Sequence, residues 1–110
     1  MKALRQVAFG RPHEALRLVE TKSPTPSRGE VLCRVLASPL NPADLLGIRG
    51  FYPIKPSLPW TPGIEGVGQV VALGRAVDGL SLGDLVLLPI RAGLWAEMAV
   101  ASAEECLRLP

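Results

Sequence analysis

The chain has 110 residues, of which 48 % are apolar and 20 % charged, with a net charge of +2. That length suits one small domain with a modest core, and the balance is that of a globular chain. The basic residues are scattered from Lys2 to Arg108 without a run or an aromatic-interleaved stripe, which argues against a nucleic-acid binder, and no apolar stretch approaches the roughly 20 residues of a membrane-spanning helix.

In chain order, Ala3 to Phe9 and Ala15 to Glu20 alternate loosely between apolar and polar residues, as half-buried strands do. His13, the one histidine, lies between Pro12 and Glu14 in an expected turn, a poor setting for a catalytic base. Ser23 to Gly29 carries Pro24 and Pro26 and breaks the chain before a long strand from Glu30 to Ser38. One short helix is expected over residues 42–49. Asn41 can cap it, Pro42 suits its first position, Asp44 complements the positive end of its dipole, and Gly50 ends it.

Between Phe51 and Gly63 stand Pro53, Pro56, Pro59 and Pro62, which make this loop stiff and leave it little freedom to lose on ordering. Val67 to Leu73, Leu85 to Ile90, Trp95 to Ala101 and Leu107 to Leu109 read as further strands. Short strands at turn-rich spacing with one helix define a mostly β fold, a partly open barrel or sandwich.

Several chemistries find no residues to carry them. Cys and His do not recur at zinc-binding spacings, and neither HExxH nor the serine-hydrolase elbow GxSxG occurs. Cys33 and Cys106 are expected as isolated buried thiols. Gly66-Val67-Gly68 resembles the opening of a dinucleotide fingerprint, but it runs into the strand residues Val70 and Val71 instead of a helix. These glycines are expected to permit a bulge or a close backbone approach.

The succession Asn41-Pro42-Ala43-Asp44, Gly50-Phe51-Tyr52-Pro53, Leu58-Pro59, Pro62-Gly63-Ile64-Glu65-Gly66-Val67-Gly68 and Gly83-Asp84 resembles the N-terminal, GroES-like domain of the medium-chain dehydrogenase/reductase superfamily. The resemblance spans the whole chain and implies a GroES-like partly open β-barrel over residues 1–110, without the nucleotide-binding domain. Zinc-dependent alcohol dehydrogenases have a cysteine ligand where this chain has Asn41, and Gly-His-Glu where it has Gly63-Ile64-Glu65. Isoleucine cannot coordinate zinc, so the resemblance is to the zinc-independent branches.

Within those branches, the Gly50–Pro56 loop, Glu65–Gly74 and Gly93-Leu94-Trp95 are similar to 2-enoyl thioester reductases, with quinone reductases close behind. The resemblance implies NADPH as hydride source in a complete enzyme, held mostly by the domain not present here, and a small enoyl thioester or quinone as acceptor. It implies that Tyr52 is catalytic, donating a hydrogen bond or proton from its phenol, and that Asn41, Asp44, Glu65 and Trp95 lie beside substrate or cofactor. Asn41 is equally well explained as a helix cap, and Glu65 as a structural hydrogen-bond partner. Arg49 and Lys55 flank the Tyr52 loop and suit either a phosphate or plain solvation.

Further expectations are a homodimeric full-length enzyme, a cytoplasmic location, and no turnover by residues 1–110 alone. The competing reading from another class is a stand-alone, non-catalytic GroES-like binding module.

Overall fold

Alternation along β3 (Glu30–Ala37) places Val31 and Cys33 on one face, and both are fully enclosed. The computed structural model describes all of residues 1–110. Beside β3 run β4 (Val67–Leu73) and β6 (Met98–Ser102), both antiparallel, and β5 (Leu85–Leu87) and β7 (Leu107–Arg108) extend the sheet in the order β6-β3-β4-β5-β7. The core lies on one face of this sheet, where Val31, Cys33, Val70, Val86 and Ala99 meet Leu88 and Leu94. Small and β-branched residues dominate it, as expected where pleated strands pack closely.

A separate antiparallel ribbon pairs β1 (Lys2–Gln6) with β2 (Leu16–Glu20). Single bridges, Ala3 to Ala96 and Gln6 to Trp60, tie it to the rest of the chain. The two sheets do not join into a continuous barrel, so the fold is mostly β and open, in keeping with the GroES-like reading.

Residues 42–49 form the expected helix, α2 (Pro42–Arg49). Its C-terminus closes with two bonds, Gly50 N–H to Gly47 C=O and Phe51 N–H to Leu46 C=O, both 3.0 Å, and Gly50 takes the left-handed conformation at φ 81°. This is a Schellman cap, in which glycine pays no Cβ penalty, and it sets the direction in which the Phe51–Tyr52 loop leaves.

The single-helix expectation needs a correction, because Pro12–Ala15 forms a short helix, α1. Pro12 presets its first position, and the Ala15 N–H bonds Arg11 C=O at 2.9 Å. One helical turn is too short to show a 3.6-residue period. The expected strand at Trp95 begins only at Met98, because Trp95 spends its N–H on Pro62 C=O and its C=O on Leu4 N–H. The strand after Leu85 ends at Leu87, ahead of Pro89, which has no donor for a ladder.

Gly66 and Gly68 do permit close approach. A Cβ at Gly66 would stand 2.8 Å from Ala37 O, and one at Gly68 2.9 Å from Arg34 O. Register shifts beside Cys33 and Ala37 mark irregularities in the β3–β4 pairing.

Candidate functional site

At the N-terminus of α2, Asn41 has extended backbone geometry, and its N–H donates to Asp44 Oδ2 at 2.8 Å. Asp44 thereby closes half of a capping box and sits in the first turn, where the helix dipole favours a carboxylate. It is 5 % exposed, and its other oxygen, Oδ1, is buried without a partner. The Asn41 side chain reaches elsewhere, with Nδ2 donating to Glu65 Oε2 at 3.0 Å. Glu65 is exposed, and its main-chain carbonyl accepts from Ser38 Oγ at 2.8 Å. Ser38, Asn41, Asp44 and Glu65 therefore form one polar chain that joins the end of β3, the cap of α2 and the start of β4.

Ser38 also lines an apolar groove of about 440 Å³, walled by Leu40, Leu45, Ile48, Leu94 and Trp95. Trp95 is half-buried, so it fills part of the structure and still presents surface to the groove. Such a groove suits a flat or linear conjugated ligand, with the Ser38 hydroxyl as the polar group among its apolar walls.

Tyr52 lies on the loop that leaves the Schellman cap, 42 % exposed. Its ring rests on α2, where a Cβ at Gly47 would lie 3.7 Å from Tyr52 Cδ2. No hydrogen bond joins its hydroxyl to the Asn41–Glu65 pair. Three of the expected site residues, Asn41, Asp44 and Glu65, are thus brought into direct contact, and Trp95 shares a groove with Ser38, while Tyr52 stands on the adjoining loop.

Two residues escaped the sequence reading. Ser38 looked like the end of a strand, and only the fold brings it to Glu65. Gln6 is fully buried, donating to Ala8 C=O (2.9 Å) and Ile48 C=O (3.2 Å) and accepting from Trp60 Nε1 (2.7 Å). It pins the proline-rich loop and the end of α2 to β1. A glutamine at an inward-facing strand position is the signal that could have revealed it.

Both cysteines are free. Burial, followed by the charge of Cys106, pushes the Cys33 thiol up to about 11, and burial, followed by Glu105, raises that of Cys106. Neither is a thiolate nucleophile at neutral pH. His13 is exposed and stands 3.5 Å from Glu14, and it does not itself line the groove, although its neighbour Pro12 does. No three His, Cys, Asp or Glu side chains gather in a way that could hold a metal ion.

An open antiparallel sheet with a capped helix, a proline-rich loop and an apolar groove is the arrangement of a GroES-like dehydrogenase domain. The alcohol dehydrogenase GroES-like domain model matches residues 27–110, and the chain belongs to this family, within the medium-chain dehydrogenase/reductase superfamily.

Among curated relatives, the mitochondrial enoyl-[acyl-carrier-protein] reductase of Xenopus tropicalis is 41 % identical over 103 residues, covering 92 % of this chain and 29 % of its own length. Among solved structures, the human synaptic vesicle membrane protein VAT-1 homolog-like protein superposes with a TM-score of 0.92 at 35 % identity, over 100 % of this chain and 35 % of that one. A mycobacterial protein determined in complex with NADPH gives 0.83 at 33 % identity, over 100 % of this chain and 32 % of its own. The chain therefore spans about a third of the proteins it matches.

Proposed function

We propose that the chain is the substrate-side domain of an NADPH-dependent reductase of activated C=C bonds, acting on 2-enoyl thioesters. The observation that carries this reading is the apolar groove lined by Ser38, whose hydroxyl is bonded to the main chain of Glu65, the partner of Asn41. It offers a dry wall for an acyl chain and fixed polar atoms for its conjugated head. The similarity to an enoyl-[acyl-carrier-protein] reductase and to a protein that binds NADPH supports the same choice.

The residues present fit one side of a nicotinamide site only. Gly66 and Gly68 lead into β4 and form no phosphate-binding turn, so the nucleotide would be held mainly by a domain beyond these residues. When bound, NADPH supplies the hydride. On this chain, Asn41 would orient the reacting groups, with its amide held by Glu65, and Leu94 and Trp95 would keep water from the groove. Tyr52 would donate a hydrogen bond or a proton toward the charge that develops on the thioester. In this reading the complete enzyme is a cytoplasmic homodimer, and residues 1–110 alone do not turn over.

The test is a comparison of NADPH-dependent rates for 2-enoyl thioesters and quinones in the complete protein and its Tyr52→Phe variant. A preference for the thioesters, with kcat reduced about 100-fold in the variant, is expected. A preference for quinones assigns the domain to the other branch, and wild-type rates in the variant remove Tyr52 from the chemistry. Light scattering and cell fractionation test the dimer and its location.

A further inference from the structure

Strands β6 and β7 are the opposite edges of the five-stranded sheet, yet only Ala103 to Cys106 join them. Laid flat, four strand spacings would hold those edges about 19 Å apart. The connection is one 3-10 turn (Ala103–Glu105) followed by Cys106, and a segment of that shape spans only about 13 Å. The sheet is therefore curled, and the connection crosses its hollow side.

Both cysteines look into that hollow. Cys33 points inward from β3 and is fully enclosed. The β5–β7 register sets Leu107 opposite Leu87 and Arg108 opposite the buried Val86. Continued by one residue, it brings Cys106 level with Leu88, on the inward face by alternation. A Cβ at Gly68 would stand 3.0 Å from Leu88 Cδ1 and 3.1 Å from Cys33 Cβ, so Leu88 and Cys33 share the space over that glycine. Cys106 packs against the same cluster, which contains Cys33 and Leu88. The two thiols also sense one another, because the charge of Cys106 helps to raise Cys33.

Their access to water differs. Cys106 is half-buried and both thiols are free, so a reagent meets Cys106 from outside while Cys33 waits behind it.

We infer that Cys33 and Cys106 form a dithiol that low-molecular-weight disulfides oxidise to an intramolecular Cys33–Cys106 disulfide, with Cys106 reacting first and Cys33 resolving. In the first step Cys106 loses its proton to water, and its sulfur attacks one sulfur of the reagent. The reagent S–S bond breaks, one thiolate leaves and takes up a proton, and Cys106 carries a mixed disulfide. In the second step Cys33 loses its proton, and its sulfur attacks Cys106 Sγ. The second reagent thiolate leaves and is protonated, so two electrons pass from the cysteines to the reagent. Both raised thiols keep this slow at neutral pH, since only the thiolate attacks. The inference stands independently of the reductase reading, because it requires neither cofactor nor turnover.

The test is to expose the folded chain to cystamine at pH 9, quench with acid and determine the mass and the linked peptides without reduction. The expected main product is a monomer lighter by two hydrogens, in which the Cys33 and Cys106 peptides are joined. In Cys106→Ser, Cys33 should stay reduced as long as circular dichroism shows the chain folded. The proposal is overturned if neither thiol reacts, if Cys106 stops at the mixed disulfide, or if the bond joins two chains. It is equally overturned if the bond forms only at urea concentrations that unfold the chain, or if Cys33 is modified in the folded Cys106→Ser variant.

Discussion

In the five-stranded sheet, Val31, Cys33, Val70 and Val86 are each no more than 1 % exposed, whereas on the loop after α2 Phe51, Tyr52 and Ile54 are 68, 42 and 85 % exposed. The two regions are ordered by different means. The sheet is held by enclosure of small and branched side chains. The loop is held by its prolines, by the Schellman cap at Gly50 and by the Gln6–Trp60 clamp, with little burial of its own. Apolar groups can therefore stay in reach of solvent on the loop without loss of a defined shape, which is what a ligand-binding surface requires.

The comparison is broken most directly at Leu94, which is 1 % exposed, belongs to the core and also walls the apolar groove. Leu94→Ala should cost about 2–5 kcal/mol, from lost burial and the cavity left behind. Urea denaturation measures it, and a loss below about 1 kcal/mol would show that the core collapses freely around the site.

Gln6 tests whether the loop depends on its clamp. Gln6→Ala strands the Trp60 indole N–H and the carbonyls of Ala8 and Ile48. Unpaired buried groups of this kind cost about 1–3 kcal/mol in all. Faster amide exchange around Trp60 should accompany the loss, with exchange in β3 and β4 changed less. Uniform loosening of both regions would show that loop and sheet are one cooperative unit.

These two predictions also mark where sequence reading succeeds and stops. Helix α2 is recognisable because Asn41, Pro42, Asp44 and Gly50 are all local signals within ten positions. Strand β4 is recognisable from Val67, Val70, Val71, Ala72 and Leu73 between Gly66 and Gly74, and its bounds match the structure. The family resemblance likewise rests on local motifs in a fixed order. What spacing cannot show is which distant residues meet. Asn41 and Glu65 are 24 positions apart, Gln6 and Trp60 are 54 apart, and the groove draws on Leu4, Leu40 and Leu94 together. Those contacts depend on how distant elements dock on one another, which no local period encodes. Helix α1 was missed for the opposite reason, being too local to display a period.

Alkaline pH should lower the stability of the chain through the thiol buried on β3. Cys33 titrates near 11 in the folded chain and near 9.0 when free of its surroundings. Between those values the unfolded thiol has lost its proton while the folded one keeps it. The unfolded state then binds fewer protons, and stability falls as pH rises. The contribution is intact below about pH 9 and is lost through pH 11, on the order of 2 kcal/mol. The raised Cys106 acts in the same direction. Thermal melts from pH 7 to 11 should therefore decline less steeply in Cys33→Ala than in the parent. Parallel declines would mean that other groups set the alkaline limit.

The smallest expected effect on stability falls on the loop. Ile54→Ala removes a side chain that is 85 % exposed, and surface changes of this kind stay within about 0.5 kcal/mol. Thermal melts should show an unchanged melting temperature. A variant that unfolds earlier would reverse the comparison, because it would make Ile54 part of the packing that holds the loop.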